Sequence, residues 1–240
     1  MSSDQAVTAG DDQKLIVRDI QTGQTSTSFD LGSDTYPIDL DVISGGSGPK
    51  KMYTVALGSS DGKVSLFSLN AGQVRLEKKW SAHQGACIRC SASPSGLELL
   101  TCGEDGCVKI WSRNGLLRTQ LASTGQAVYA ADWSPDGQGV VLSESTKILT
   151  KSLQPSARHE CWNAHAALIT ALAWGGNDII ASGRPGFKDV LVIFFLFLTR
   201  KKVVKQVVIN CGINLVAFFT SHLLFRLTQS HLPHFPRIKI

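Results

Sequence analysis

The sequence predicts an all-β protein built from a repeated unit of four short antiparallel strands. Three observations support this fold class. Apolar and polar residues alternate in short runs, turns rich in glycine and aspartate separate the runs, and one turn-plus-strand segment recurs at a regular interval. The chain has 240 residues, 43% hydrophobic and 18% charged, so it is long and apolar enough to bury a core.

The recurring segment is best developed at residues 103–112, Gly-Glu-Asp-Gly-Cys-Val-Lys-Ile-Trp-Ser. It predicts a tight turn followed by a strand whose side chains alternate between two faces. Residues 58–67 repeat this pattern, and residues 9–18 are a weaker copy. The segment is therefore a unit of architecture and not an isolated loop.

The spacing of the turns indicates the kind of repeat. Asp105 lies 44 residues after Asp61, and Ser145, at the corresponding turn, lies 40 residues after Asp105. Four-stranded units of about 40–45 residues are typical of β-propeller blades. We therefore expect an incomplete, open propeller of about four blades, with fragments at either end.

The remaining strands follow from the same alternation. The first unit lacks an opening strand and has two apolar runs within residues 5–30. Further strands are expected at residues 36–42, 52–57, 63–67, 74–80, 86–92, 97–101, 108–111, 116–121, 127–133, 140–142, 147–151, 168–174 and 179–182, with another ending near residue 162.

The composition changes sharply after Gly183. Residues 1–183 carry 15 Lys and Arg against 18 Asp and Glu, whereas residues 184–240 carry nine basic residues and one acidic residue. All five Trp precede this point, and eight of the ten Phe follow it. We expect a partial propeller at residues 5–183 and an unrelated, hydrophobic and basic tail at residues 184–240 without further blade strands. The tail is hypothesised to arise from alternative splicing or intron read-through.

The blade motifs resemble those of the WD-repeat family, whose blades begin near Gly-His and end in Trp-Asp. Ala82-His83 and Asn163-Ala164-His165 stand in for Gly-His, and Trp111-Ser112 stands in for Trp-Asp. The resemblance implies a β-propeller with a buried hydrogen-bonded network in the blade. Its members map onto His83, Thr101, Asp105 and Trp111, and His165 is the second blade-start histidine. At the Trp position the other blades carry Arg18, Phe67 and Lys151, so they are expected to rely on apolar packing.

A longer resemblance covers roughly residues 5–183. It consists of several short segments in the same order, such as residues 36–40, 115–118 and 162–165, each of which is a weak match alone. Together these segments resemble the WD-repeat subunits of intraflagellar transport. The resemblance implies a non-enzymatic protein-binding scaffold, part of transport complex B, that is needed for cilium assembly. It also implies other intraflagellar transport proteins as partners, and a location in the cytoplasm and the cilium, at the basal body and axoneme.

Catalytic and metal-binding interpretations are weaker. No nucleophile or oriented acid lies at a fixed spacing from His83 or His165, so no catalytic residue is predicted. Cys87 and Cys90, followed by Cys102, suggest zinc, but an alternating strand puts the first two thiols on opposite faces. Neither a metal nor a cofactor is expected. The six scattered cysteines and the absence of a signal-like start predict a reduced, cytosolic protein.

The tail leaves an alternative function open. Residues 207–225 are 19 uncharged residues, near the length of a membrane-spanning helix, but Asn210, Asn214 and His222 are costly in hydrocarbon. The alternative is a membrane-tethered isoform, or a non-functional truncated one. Nucleic acid is not expected as a partner, because the basic tail lacks aromatic residues interleaved at strand spacing.

Overall fold

The computed structural model describes residues 5–33, 35–43, 53–70, 73–154, 159–176 and 179–183, and the backbone of residues 190–196 and 207–211. Within these residues, nineteen strands form five antiparallel sheets, and the strands of each sheet lie in chain order. The predicted all-β, repeated architecture is confirmed.

The first sheet has three strands, and the second has four. The first contains β1 (Gln5–Ala9), β2 (Lys14–Asp19) and β3 (Thr25–Asp30). The second contains β4 (Pro37–Ile43), β5 (Tyr53–Ser59), β6 (Lys63–Asn70) and β7 (Gln73–Ser81). As expected from the sequence, the first unit therefore has no described strand that corresponds to β4.

The third and fourth sheets repeat the four-stranded plan. The third contains β8 (Cys87–Ala92), β9 (Glu98–Gly103), β10 (Cys107–Ser112) and β11 (Leu117–Ser123). The fourth contains β12 (Ala131–Trp133), β13 (Gly139–Glu144), β14 (Lys147–Ser152) and β15 (Glu160–Asn163).

The fifth sheet extends beyond the change in composition at Gly183. It contains β16 (Ala171–Gly175), β17 (Ile179–Gly183), β18 (Val190–Leu196) and β19 (Val207–Cys211), with β18 paired to both β17 and β19. The expectation that no blade strand follows Gly183 was therefore wrong, since two apolar segments of the tail take up strand positions in this sheet. The origin of the tail stays a prediction.

In the second, third and fourth sheets, burial is greatest in the second strand and least in the last. The first strands of neighbouring sheets contact one another: β4 contacts β8, and β12 contacts both β8 and β16. These first strands therefore lie on the inside of the arc. The second and third strands have sheets packed on both faces. As a result, β5 is almost entirely buried, with the apolar residues Val55, Ala56 and Leu57 at its centre. The last strands, β7 and β11, are mostly exposed, and every charged residue in these two strands lies at an exposed position.

The hydrophobic core consists of four layers, one between each pair of neighbouring sheets. Their largest fully buried members include Leu15 and Phe67 between the first two sheets, Leu99 in the next layer, Ile110 in the third and Ile180 in the fourth. No described strand joins the fifth sheet to the first. The predicted open, incomplete propeller is therefore confirmed.

The membrane alternative concerned residues 207–225. Of these, residues 207–211 are strand β19, and residues 212–225 lie outside the described part of the chain. Across the described ranges there is no helix with the length and apolar character that crossing a bilayer requires.

Candidate functional site

The structure brings His83, Thr101, Asp105 and Trp111 together in the third sheet. His83 precedes β8, Thr101 lies in β9, Asp105 lies in the turn before β10, and Trp111 lies in β10. His83 Nδ1 is 2.8 Å from Asp105 Oδ1, and His83 Nε2 is 2.8 Å from Thr101 Oγ1. The indole Nε1 of Trp111 donates to Thr101 Oγ1 at 2.9 Å. Every polar atom of this series therefore has a partner.

One arrangement of protons satisfies all three hydrogen bonds. The Thr101 hydroxyl oxygen accepts from Trp111, so its proton is directed to His83 Nε2. This leaves the His83 Nδ1 proton to be donated to the Asp105 carboxylate. The order Thr, His, Asp is also that of a hydrolase triad, but His83 and Thr101 are buried and the hydroxyl already accepts a hydrogen bond. A substrate cannot reach it, so the geometry favours a structural role, and that role stays a prediction.

Local sequence explains why the network forms here. Gly106 closes the Glu-Asp-Gly turn at φ +71°, a backbone conformation that side chains disfavour, and a Cβ there would lie 2.7 Å from the Gln126 carbonyl oxygen. Gly103 is needed for a different reason, because a Cβ at this position would lie 2.7 Å from Cγ of His83. Two glycines thus make room for the turn and for the imidazole ring.

Burial and hydrogen bonds set the charges of the pair. Burial lowers the pKa of His83 below its usual value, although the Asp105 carboxylate opposes this effect. Burial alone raises the pKa of Asp105, but the hydrogen bonds from Cys107 N–H and His83 outweigh it and hold that pKa below the usual range. The stable state at neutral pH is a neutral imidazole beside an ionised carboxylate. Lys109 adds an ion pair, with its Nζ 3.6 Å from Asp105 Oδ2.

The other sheets hold only part of this network. His165 Nε2 lies 2.8 Å from Ser182 Oγ in β17, which matches the His83–Thr101 contact. In the second and fourth sheets the position of Thr101 is taken by Leu57 and Leu142, both fully buried.

A second set of polar contacts, absent from the sequence-based prediction, links the innermost strands. Asp41 Oδ2 accepts the backbone N–H of Ala92 at 2.8 Å, across from the second sheet to the third. Asp132 Oδ2 accepts the backbone N–H of Trp174 at 2.9 Å in the corresponding place between the fourth and fifth sheets. These carboxylates satisfy edge N–H groups that have no strand partner. The alternating aspartates of residues 36–42 were the available signal.

Arg89, in β8, is the cation that lies among these carboxylates of the innermost strands. Its Nη1 is 3.2 Å from Asp39 Oδ2, and that carboxylate also accepts the Cys90 N–H at 2.8 Å. Burial raises the pKa values of Asp39, Asp41 and Asp132. Arg89 opposes this most at Asp39, whereas the backbone N–H groups of Ala92 and Trp174 oppose it more than Arg89 does at Asp41 and Asp132. Burial also acts to lower the pKa of Arg89, but attraction to the carboxylates outweighs it and raises that pKa. One cation is therefore shared by three partly desolvated acids.

The structure corrects the expected geometry of the cysteines. A bulge sets Cys87 opposite Gly103 and Arg89 opposite Cys102, so the side-chain alternation is reset at Ile88. Cys87 and Cys90 consequently pack in the same apolar layer, and not on opposite faces. Burial raises the pKa of Cys87 to about 12, which keeps the thiol protonated, whereas zinc binds thiolate. Over the described residues, no group of three or more His, Cys, Asp or Glu side chains is placed to hold a metal ion.

Comparison with known proteins agrees with this geometry. The WD domain, G-beta repeat family matches residues 74–112, a segment that contains His83, Thr101, Asp105 and Trp111. The intraflagellar transport protein 80 homolog of Mus musculus is 37% identical over 185 residues, which is 75% of this chain and 23% of that protein. The chain thus spans about a quarter of the length of this curated relative.

Two solved structures share the fold at low sequence identity. The crystal structure of Chaetomium thermophilum Sqt1 matches with a TM-score of 0.64 and 22% identity, covering 80% of this chain and 53% of that one. A chain of the mitotic checkpoint complex matches with a TM-score of 0.70 and 17% identity, covering 87% and 63%. The repeat match, the sheet geometry and these likenesses agree: the chain is a WD-repeat propeller protein, similar along three quarters of its length to an intraflagellar transport protein 80 homolog.

Proposed function

We propose that this chain is a non-enzymatic protein-binding scaffold of the intraflagellar transport machinery. The observation that carries the proposal is the 37% identity over 185 residues to an intraflagellar transport protein 80 homolog. The burial of the Thr101–His83–Asp105 series supports the non-enzymatic part, because its hydroxyl is closed to substrates.

The finer features of the proposal follow from the same likeness. The partners are other intraflagellar transport proteins, the assembly is transport complex B, and the role is in cilium assembly. The place of action is the cytoplasm and the cilium, at the basal body and along the axoneme. A scaffold on a propeller binds through its exposed loops and strand ends, while the buried residues only hold the sheets in place.

Affinity purification from ciliated cells tests this function. The full chain with a small tag is expected to co-purify with intraflagellar transport subunits identified by mass spectrometry. The matched control is a tagged WD-repeat fragment of the same length from an unrelated protein. The proposal fails if the folded chain recovers no more of these subunits than the control does.

A further inference from the structure

Three exposed leucines lie together at one end of the third sheet, and we call Leu97, Leu116 and Leu117 the leucine patch. The backbone carbonyl of Leu97 accepts the N–H of Arg113 at 2.9 Å, and that of Leu116 accepts the neighbouring N–H of Ser112 at 2.8 Å. Leu117 follows directly and pairs with Trp111. The three residues therefore flank the same end of strand β10.

The patch is highly exposed to solvent. The exposed fractions are 62% for Leu97, 64% for Leu116 and 53% for Leu117. Apolar surface left in water forgoes about 25 cal/mol for each Å² that could be buried. Single exposed leucines are common on proteins, whereas three at the same end of one sheet place an unusual amount of apolar side chain on one part of the surface.

The fold itself does not require leucine at these positions, because the repeated sheets provide an internal comparison. The hydrogen bond from Leu153 N–H to the Gln138 carbonyl in the fourth sheet is the counterpart of the bond to Leu97. In the first sheet, Asp19 N–H donates to Gln24, which matches Leu116, and Thr25 pairs as Leu117 does. Polar residues thus occupy these positions in the first and fourth sheets, although the second sheet carries Leu76, 40% exposed, at the position of Leu117.

Basic side chains border the patch. Lys78 Nζ lies 2.6 Å from the carbonyl oxygen of Asn114, two residues before Leu116. Arg118 follows Leu117, and its side chain is 56% exposed, with Nε 3.5 Å from Glu98 Oε1. An exposed pair of this kind is weak and leaves Arg118 open to other anions. The rim is therefore net positive around an apolar centre.

We propose that the leucine patch docks an acidic, amphipathic segment of a partner protein, with its apolar face on the leucines and its carboxylates towards Lys78 and Arg118. This deepens the proposed function and rests on the chain being a scaffold. The tail at residues 184–240 is an unsuitable occupant, because its nine basic residues and single acid would face a positive rim.

Binding of a defined probe to the purified full chain tests the proposal. The probe is a fluorescent helical peptide of about 18 residues, or five turns, with leucines on one face and glutamates on the other. A second peptide carries lysine in place of every glutamate. Anisotropy is expected to show saturable binding of the acidic peptide and at least about tenfold weaker binding of the basic one.

The decisive variant carries Leu97→Gln, Leu116→Gln and Leu117→Thr, the residues found at the equivalent positions of the fourth sheet (Gln138) and the first sheet (Gln24 and Thr25). It is expected to fold and to weaken acidic-peptide binding at least about tenfold. Ile20→Gln is the matched control, because Ile20 is 61% exposed at the corresponding turn of the first sheet, and it is expected to leave binding unchanged. Lys78→Glu with Arg118→Glu is expected to remove the preference for the acidic peptide.

Three results would overturn the proposal: equal binding of the two peptides, unchanged binding by the folded triple variant, or a dimer of the free chain that the triple variant dissolves. The last result would make a second copy the occupant. Because the probe assay uses purified components, it separates the two proposals. If the chain binds the probe but recovers no transport subunits from cells, the proposed scaffold function is rejected and the docking role of the leucine patch stands. If it recovers the subunits but does not bind the probe, only the docking role of the leucine patch is rejected.

Discussion

Trp133 donates its indole Nε1–H to the backbone carbonyl of Ser91 at 3.0 Å, and so ties the fourth sheet to the third across an apolar layer. The equivalent residue one sheet further on is Trp174, whose Nε1 is buried without a partner and whose main-chain N–H is held by Asp132. Neighbouring sheets are therefore joined by different polar contacts at equivalent positions, and the contacts can be tested separately.

Thr101→Val is expected to destabilise the protein although it preserves the shape of the side chain. The substitution leaves Trp111 Nε1 and His83 Nε2 buried without partners, at about 1–3 kcal/mol each. Chemical denaturation monitored by tryptophan fluorescence measures the loss. Thr119→Val, at an exposed position of β11, is the control and should change stability little. In a double-mutant cycle, Trp111→Phe should cost less in the Thr101→Val background, and strict additivity would contradict the network.

Stability is expected to fall as the pH drops through the histidine range, and His83 should account for part of the slope. The pKa of His83 is lowered in the folded chain, so near its ordinary value of 6.5 the unfolded chain binds the proton more readily. Its contribution is full above 6.5 and is lost below it. His83→Gln should be less stable at about pH 7 and show a shallower decline towards about pH 5. Parallel declines in the variant and the parent would exclude His83 as the titrating group.

The charge of Asp132 is expected to destabilise the folded chain, and Asp132→Asn tests this expectation. Burial raises the folded pKa of Asp132 above its ordinary value of 3.8, so ionisation opposes folding and the penalty disappears as the pH falls through the raised pKa. The asparagine oxygen can still accept the Trp174 N–H without the charge. The variant should therefore match or exceed the parent at about pH 7, by up to roughly 1 kcal/mol, and lose this advantage at about pH 4. Urea titrations at the two pH values make the comparison, and a loss of stability at neutral pH would show that the charge is needed beside Arg89.

Truncation after Gly183 is expected to destabilise the chain and promote association. It removes β18 and β19, so β17 becomes an edge strand with unpaired N–H and C=O groups. Size-exclusion chromatography with light scattering and a thermal melt compare residues 1–183 with the full chain. A monodisperse fragment that melts cooperatively at the temperature of the full chain would show that the tail strands add nothing to the fold.

Local pattern predicted the parts of the structure that depend on nearby residues. The turn at Asp105 and the strand after it follow from Asp-Gly chemistry and alternation, and the position of His83 follows from a family motif. The bulge at Ile88 and the carboxylates of Asp41 and Asp132 did not follow, because they depend on how one sheet packs against the next. The strands after Gly183 were missed because short apolar runs without turn residues do not distinguish strand from helix.

Among the described residues, the apolar layers lie between neighbouring sheets, so the arc behaves as a one-dimensional stack whose stability is a sum of sheet and interface contributions. The third sheet has an apolar layer on both sides, whereas the first and fifth sheets have one each. Unfolding should therefore proceed inwards from the two ends, and amide protons of β9 and β10 should exchange with solvent last. Thr101 and Trp111 lie in these two strands, so the most complete polar network is also the part of the molecule that opens least often.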